Sequence, residues 1–256
     1  MKEMKPKVLI CVSEDFHNAV NLGYYDDEYN SQIKSGKIGF ITTEEAQEMD
    51  LPCLPEEKDI FSLNPFNQQY ILIGKDKSEV ERFNIEAKAF AIKGFLELLG
   101  AHCVMLLDNI QDIEKRSISA QAGGTYGTKS GNLNGIFSKE ESINWSSIME
   151  SFDPNNTPAN KEVVHQYMKS HGLMNEVMCQ HFFEKFCSGR LTSSENIKID
   201  FLSELKSTLD ILATINFGPI DGSIKFGYIS SHIHEVTKDI RVFFRDVPES
   251  IQNHFS

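Results

Sequence analysis

Cys11, Ser13, Glu14, Asp15 and His17 stand together in the stretch CVSEDFH, residues 11–17. Between them they carry the groups a covalent or acid/base mechanism draws on: a thiol or hydroxyl to attack, an imidazole or carboxylate to move the proton. The cluster follows the first apolar run that reads as a strand, and in open α/β sheets ligands gather at the carboxyl ends of strands. Glu14, Asp15 and His17 are therefore the candidate catalytic residues. The same residue types also serve a polar turn after a buried strand. Neither a G-x-S-x-G elbow nor a matching downstream triad accompanies them.

A second stretch, AGGTYGTKSGNLNG at 122–135, raises phosphate binding. A Walker loop needs G-x-x-x-x-G-K-[ST], so that backbone amides and the lysine converge on the same phosphates. Here Gly123 and Gly127 are one residue too close, and Thr128 separates Gly127 from Lys129. The next residues, SGNLNG, do not open a helix whose N-terminus would hold an anion. The stretch reads instead as extended ribbon. Ser117, Ser119, Gln121 and Gly123 fall on one face, and Ile118, Ala120, Ala122 and Gly124 on the other. Gly127, Gly131 and Gly135 then recur every four residues and mark bends, bulges or close backbone approach. A ribbon of such small residues packs weakly and needs support from a neighbouring subunit or from a bilayer, as in a β-pore; a plain surface hairpin is the simpler alternative.

Metal binding rests on His232 and His234 in SHIHE, which share a face if that segment is a strand. Two ligands do not close a site, and the other histidines and cysteines show no H-x-x-x-H spacing. No metal and no cofactor is expected. The acidic, aromatic run YYDDEYN at 24–30 suits a recognition loop or a solvated one, and Phe182, Phe183 and Phe186 suit a helix core.

The elements that must position these groups emerge from periodicity. Residues 7–13, 37–43 and 69–75 are rich in Val, Ile, Phe and Tyr and read as strands, with the Pro-bounded LPCLPEEKD as a loop between the last two. Ser78 and Glu81 form a capping box for a helix to Leu99. Val80, Phe83, Ala87 and Phe90 make one apolar row, Ile85, Ala89, Ile92, Leu96 and Leu99 another, and Gly100 closes the helix. A strand at 102–108 comes next, compatible with one right-handed parallel crossover from the strand near 70. A linker at 151–160 precedes a helical region from 161 to 187, with Val164, Tyr167, Met174, Val177, Met178 and Phe182 inward and Gly189 as its stop. A shorter helix near 200–211 leads into three more strands, the last of them DIRVFFRDV. The expected fold is α+β: a mixed, mainly antiparallel sheet with two principal helical layers, in lobes 1–150 and 151–256 or one continuous domain.

Composition narrows the partners. The 256 residues carry a formal net charge of -12, with 25 Lys and Arg against 37 Asp and Glu. A phosphate backbone is repelled by such a surface and no basic stripe relieves it, so nucleic acid is excluded as a first partner. Five cysteines without a C-x-x-C pair point to reduced thiols and a cytoplasmic location. The apolar run near the start is too short for a signal peptide, and no run elsewhere is long enough for a membrane helix. Three functions remain. The first is a non-enzymatic protein acting through self-assembly or a protein partner; the second is a β-pore that inserts its ribbon after a conformational change; the third is a small-molecule enzyme built on the end of strand one.

Overall fold

The computed structural model describes residues 5–22, 35–57, 59–73, 77–111, 143–206, 208 and 236–255. The glycine-rich ribbon with Ser117, Ser119, Ala120, Ala122, Gly123, Gly127, Gly131 and Gly135 lies outside them, as do the run 24–30 and the pair His232 and His234. The fold is α+β, and the described residues form two four-stranded sheets where a single sheet was expected. The described residues of Met1–Ala87 and Phe201–Glu235 form one compact unit, and those of Lys88–Asp200 and Val236–Ser256 the other.

In the first unit the sheet is built on β1 (Val8–Cys11), whose four residues are all buried. It pairs in parallel with β2 (Ile38–Ile41) and antiparallel with β3 (Ile60–Leu63), which continues to β4 (Tyr70–Ile73), giving the order β2-β1-β3-β4. A central strand covered on both faces reads as an unbroken apolar run, which is why VLIC shows no alternation. Each such side chain contributes about 1.5–3 kcal/mol by leaving water. Helix α1 (Glu14–Asn21) comes after β1, and α2 (Thr43–Gln47) after β2. Beyond β3, Asn64 accepts hydrogen bonds from the amides of Phe66 (2.8 Å) and Asn67 (3.4 Å), closing the turn into β4. Its own amide donates to Asn84 Oδ1 at 3.0 Å, a buried neutral tie between this turn and α3 (Lys77–Leu98).

Helix α3 was expected from 78 to 99 and is present, with a correction to its apolar rows. Val80 is buried, but Phe90 is 55% exposed. Ten residues of helix leave Phe90 about 80° off the row that Val80 starts, whereas Ala91 returns to within about 20° of it; Ala91 is buried. Gly100, at φ +88°, ends the helix in a Schellman motif: its amide bonds Glu97 O (2.9 Å) and the Ala101 amide bonds Leu96 O (3.1 Å).

The second unit holds β5 (Cys103–Leu106), again buried at every position. It lies between β6 (Ser151–Phe152) and β8 (Thr237–Phe243), and β8 pairs on its other side with β7 (Ser194–Asp200), all antiparallel. The parallel crossover with which the order of strand, helix and strand from 70 to 107 is compatible is not formed: β4 and β5 belong to different sheets. A helix between two strands is only a precondition for a crossover; which strands share hydrogen bonds is decided by their partners, and those of β5 come from far along the chain. Residues 151–160, expected as a linker, supply β6 and the Asn156 amide that donates to Glu97 O (2.7 Å) and Ala101 O (2.9 Å). After α4 (Trp145–Met149), the helical region is interrupted. Helix α5 (Lys161–Ser170) gives way to Gly172 at φ +66° and a 3₁₀ turn at Leu173–Asn175, and α6 (Val177–Cys187) restarts in a new phase. Val164, Met168, Leu173, Cys179 and Phe182 face inward, while Val177 is 79% exposed at the restart, against expectation. A short helix α7 (Glu249–Gln252) closes the described chain.

Candidate functional site

The predicted cluster stands where the parallel pair ends. Ser13 caps α1, its hydroxyl accepting from the Phe16 amide at 3.4 Å, and Thr42 caps α2 in a full capping box with Glu45. Two helix N-termini thus succeed the carboxyl ends of β1 and β2. Glu14 and Asp15 occupy the first turn of α1, exposed, where their negative charge complements the amide end of the helix. His17 lies one turn on, its Nδ1 3.6 Å from Glu45 Oε2. That carboxylate oxygen already accepts from the Thr42 amide (2.9 Å) and hydroxyl (3.3 Å). The structure therefore brings His17 together with Glu45, a residue the sequence pattern did not single out, and leaves Glu14 and Asp15 turned to solvent.

The thiol beneath this cluster is set against nucleophilic use. Cys11 is fully buried, and burial, with Asp59 and Glu57 adding to it, raises its pKa to about 11. A reactive cysteine needs the opposite shift, toward thiolate at neutral pH. Cys103, raised by burial and by Glu150 to about 12, and Cys179, raised by burial and by Glu176 against the lowering effect of Lys88, share that character.

A different concave site lies wholly within the second unit, a cavity of about 270 Å³. Leu99, Pro158, Phe186, Leu191 and Phe244 form its apolar wall, and His102, Asn156 and Arg245 contribute the polar side chains. The lining also takes in Gly100 and Gly189, the residues that end α3 and α6. Gly189, at φ +67°, repeats the Schellman pattern: its amide bonds Phe186 O (3.1 Å) and the Arg190 amide bonds Lys185 O (2.8 Å). The remaining end carbonyls are taken too, Cys187 O by Lys161 Nζ (2.8 Å) and Leu98 O by the Ala159 amide (2.9 Å). Asn156 spends its donors on the end of α3. The His102 ring and the Arg245 guanidinium have no hydrogen-bond or ion-pair partner among the described residues. Register explains their proximity: Cys103 pairs with Phe243, and the His102 amide donates to Phe243 O at 2.7 Å, so His102 and Arg245 leave the sheet at one corner.

No cluster of three or more His, Cys, Asp or Glu side chains able to hold a metal occurs among the described residues. No helix among them is long and apolar enough to cross a membrane. Comparison with family models, curated proteins and solved structures yields no match for this chain.

Of the cavity residues, the sequence pattern gives Leu99 and Phe186 to helix cores and gives no sign of Arg245. The one signal in the sequence was Gly100 and Gly189 as helix stops. Nothing in the one-dimensional pattern says that two such stops line the same cavity.

Proposed function

We propose that this protein acts by assembly with a second copy of itself, through the edge strand that ends the second sheet among the described residues. The observation that carries this reading is β7, the seven-residue terminal strand of the order β6-β5-β8-β7 among the described residues. The Phe244 amide bonds Ser193 O at 2.8 Å. Alternation then turns the amides of odd-numbered β7 residues toward β8 and presents those of Ser194, Asn196 and Lys198 at the outer edge. An exposed row of this length is a template for another strand.

Antiparallel pairing of two β7 strands about Ile197 suits this edge. It sets Asn196 against Lys198, using their outward amides, and Ser194 beside Asp200 of the second copy, opposing no like charges. The odd-numbered side chains meanwhile remain on the packed face, where Ile197 and Ile199 are buried and Glu195 bonds Lys185 at 2.6 Å. A two-fold, self-complementary contact of this kind is the commonest route to a homodimer.

The test is sedimentation of the full chain over a concentration series. Reversible dimer formation is expected, with Lys198→Pro shifting the chain to monomer while its circular dichroism is retained, because proline removes one outward donor and leaves the β8 ladder intact. A chain that stays monomeric throughout, or a Lys198→Pro variant that dimerises as well as the parent, overturns the reading.

A further inference from the structure

We infer that the cavity of the second unit is a binding site for a small organic carboxylate with an apolar tail. The site combines an apolar wall with two polar groups of unused capacity, which is the general make-up of small-molecule pockets. Its size sets the ligand. At about 30 Å³ per water-sized group in a liquid, about 270 Å³ admits about nine such groups. A medium-chain or aryl acid fits; a nucleotide does not.

The charge of the ligand is set by Arg245. In a chain with 37 acidic against 25 basic residues, this guanidinium has no carboxylate within ion-pair range among the described residues. A guanidinium offers a planar fork of donors and no acceptor, and its best-matched ligand is a carboxylate. The imidazole of His102 supplies a further hydrogen-bonding nitrogen at the same corner of the sheet. A cation is disfavoured on the same grounds. The α3 and α6 carbonyls that would attract one are bonded to Gly100, Ala101, Asn156, Ala159, Gly189, Arg190 and Lys161. The tail has its place as well, against Leu99, Phe186, Leu191 and Phe244. Gly189 leaves the approach open, since a Cβ built there meets nothing within 4 Å.

The proposal is tested by titrating the full chain calorimetrically with octanoate, its neutral isostere octanamide and octylammonium. One saturable site for octanoate is expected, with octanamide at least about tenfold weaker and octylammonium not binding, as loss of a charge-assisted pair implies. Arg245 is exposed and outside the core, so Arg245→Gln should fold and lose affinity by about tenfold, with Arg245→Lys in between. Leu191→Trp should block the site by filling it. Equal affinity for octanoate and octanamide, octanoate binding unchanged in Arg245→Gln, or no binding of octanoate at about 10 mM, a concentration weaker than any useful affinity, each overturn the proposal. Melting curves of the variants report folding separately from binding.

Discussion

The carboxyl end of the parallel pair in the first unit and the cavity in the second make an instructive contrast. The first has the residue types of chemistry: Ser13, Glu14, Asp15, His17, Thr42 and Glu45. Yet its hydroxyls cap helices, Glu45 closes a capping box and faces His17, and Glu14 and Asp15 sit on an exposed first turn. The second has an unremarkable composition, but its helix ends are capped by backbone, leaving His102 and Arg245 with capacity to spare. Whether a polar group can serve a ligand depends on what its own fold has already asked of it. Residue type alone is silent on that.

The sharpest way to break this contrast is to remove the charged tie of the second unit. Lys88 is 1% exposed and its Nζ lies 2.7 Å from Glu176 Oε1. Lys88→Met removes the ion pair from a partly buried carboxylate and should cost about 3 kcal/mol in a urea melt, the lower end of what breaking a buried pair costs. The neutral tie of the first unit, removed by Asn84→Leu, should cost less, about 1–2 kcal/mol, because it leaves only the uncharged Asn64 amide without its partner. A larger loss in Asn84→Leu than in Lys88→Met would reverse the ranking of the two units.

The paired glycines come next. Gly100→Ala and Gly189→Ala both force a side chain into left-handed backbone, at about 1–2 kcal/mol. A Cβ at Gly100 also lies 3.0 Å from Pro158, while one at Gly189 is in open space. Thermal melts should therefore show Gly100→Ala as the more damaging, and equal losses would show that Pro158 yields freely. Smaller again is Thr42→Val, which removes the cap of α2 at about 1 kcal/mol in the same melt.

An acid titration gives a subtler reading. Burial draws the Glu195 carboxyl upward, but its hydrogen bonds to Lys185 and Thr192, with the nearby charges of Lys185 and His181, outweigh this and hold it below the usual carboxylate range. A depressed folded pKa means that the stability is present above the unfolded value and is lost as pH falls through the folded one. Glu195→Gln should thus flatten the acid limb of the stability curve and leave its shape near neutrality unchanged. Least of all, Glu14→Gln and Asp15→Asn should each change stability by no more than about 0.5 kcal/mol, as exposed substitutions do. A loss of several kcal/mol at either would show that the cluster has a structural role beyond its helix.

Several features were legible because they depend on neighbours in sequence. The strands at Val8–Cys11, Ile38–Ile41 and Tyr70–Ile73, the long helix and its glycine stop all announce themselves through composition, spacing and a residue able to take positive φ. Helix α1 was hidden by its own cap, since Ser13, Glu14 and Asp15 resemble a polar turn as closely as a first helical turn. Strand β7 was hidden because SENIKID holds only two apolar residues, enough for one packed face once β8 supplies the other side. The phase change at Gly172 went unseen because periodicity assumes an unbroken helix, and so Val177 was placed inside.

What the order of residues determined unaided was local: which segments extend, which coil, where the coils stop, and an acidic charge balance. The α+β class comes out of those local preferences. Only the folded chain decided that the strands fall into two sheets, that Glu45 meets His17, and that Gly100, Gly189, His102 and Arg245 line one cavity. The physical reason is range. Hydrogen-bond periodicity and backbone sterics act within a few residues, whereas strand pairing and burial join residues that the sequence keeps far apart, such as Cys103 and Phe243.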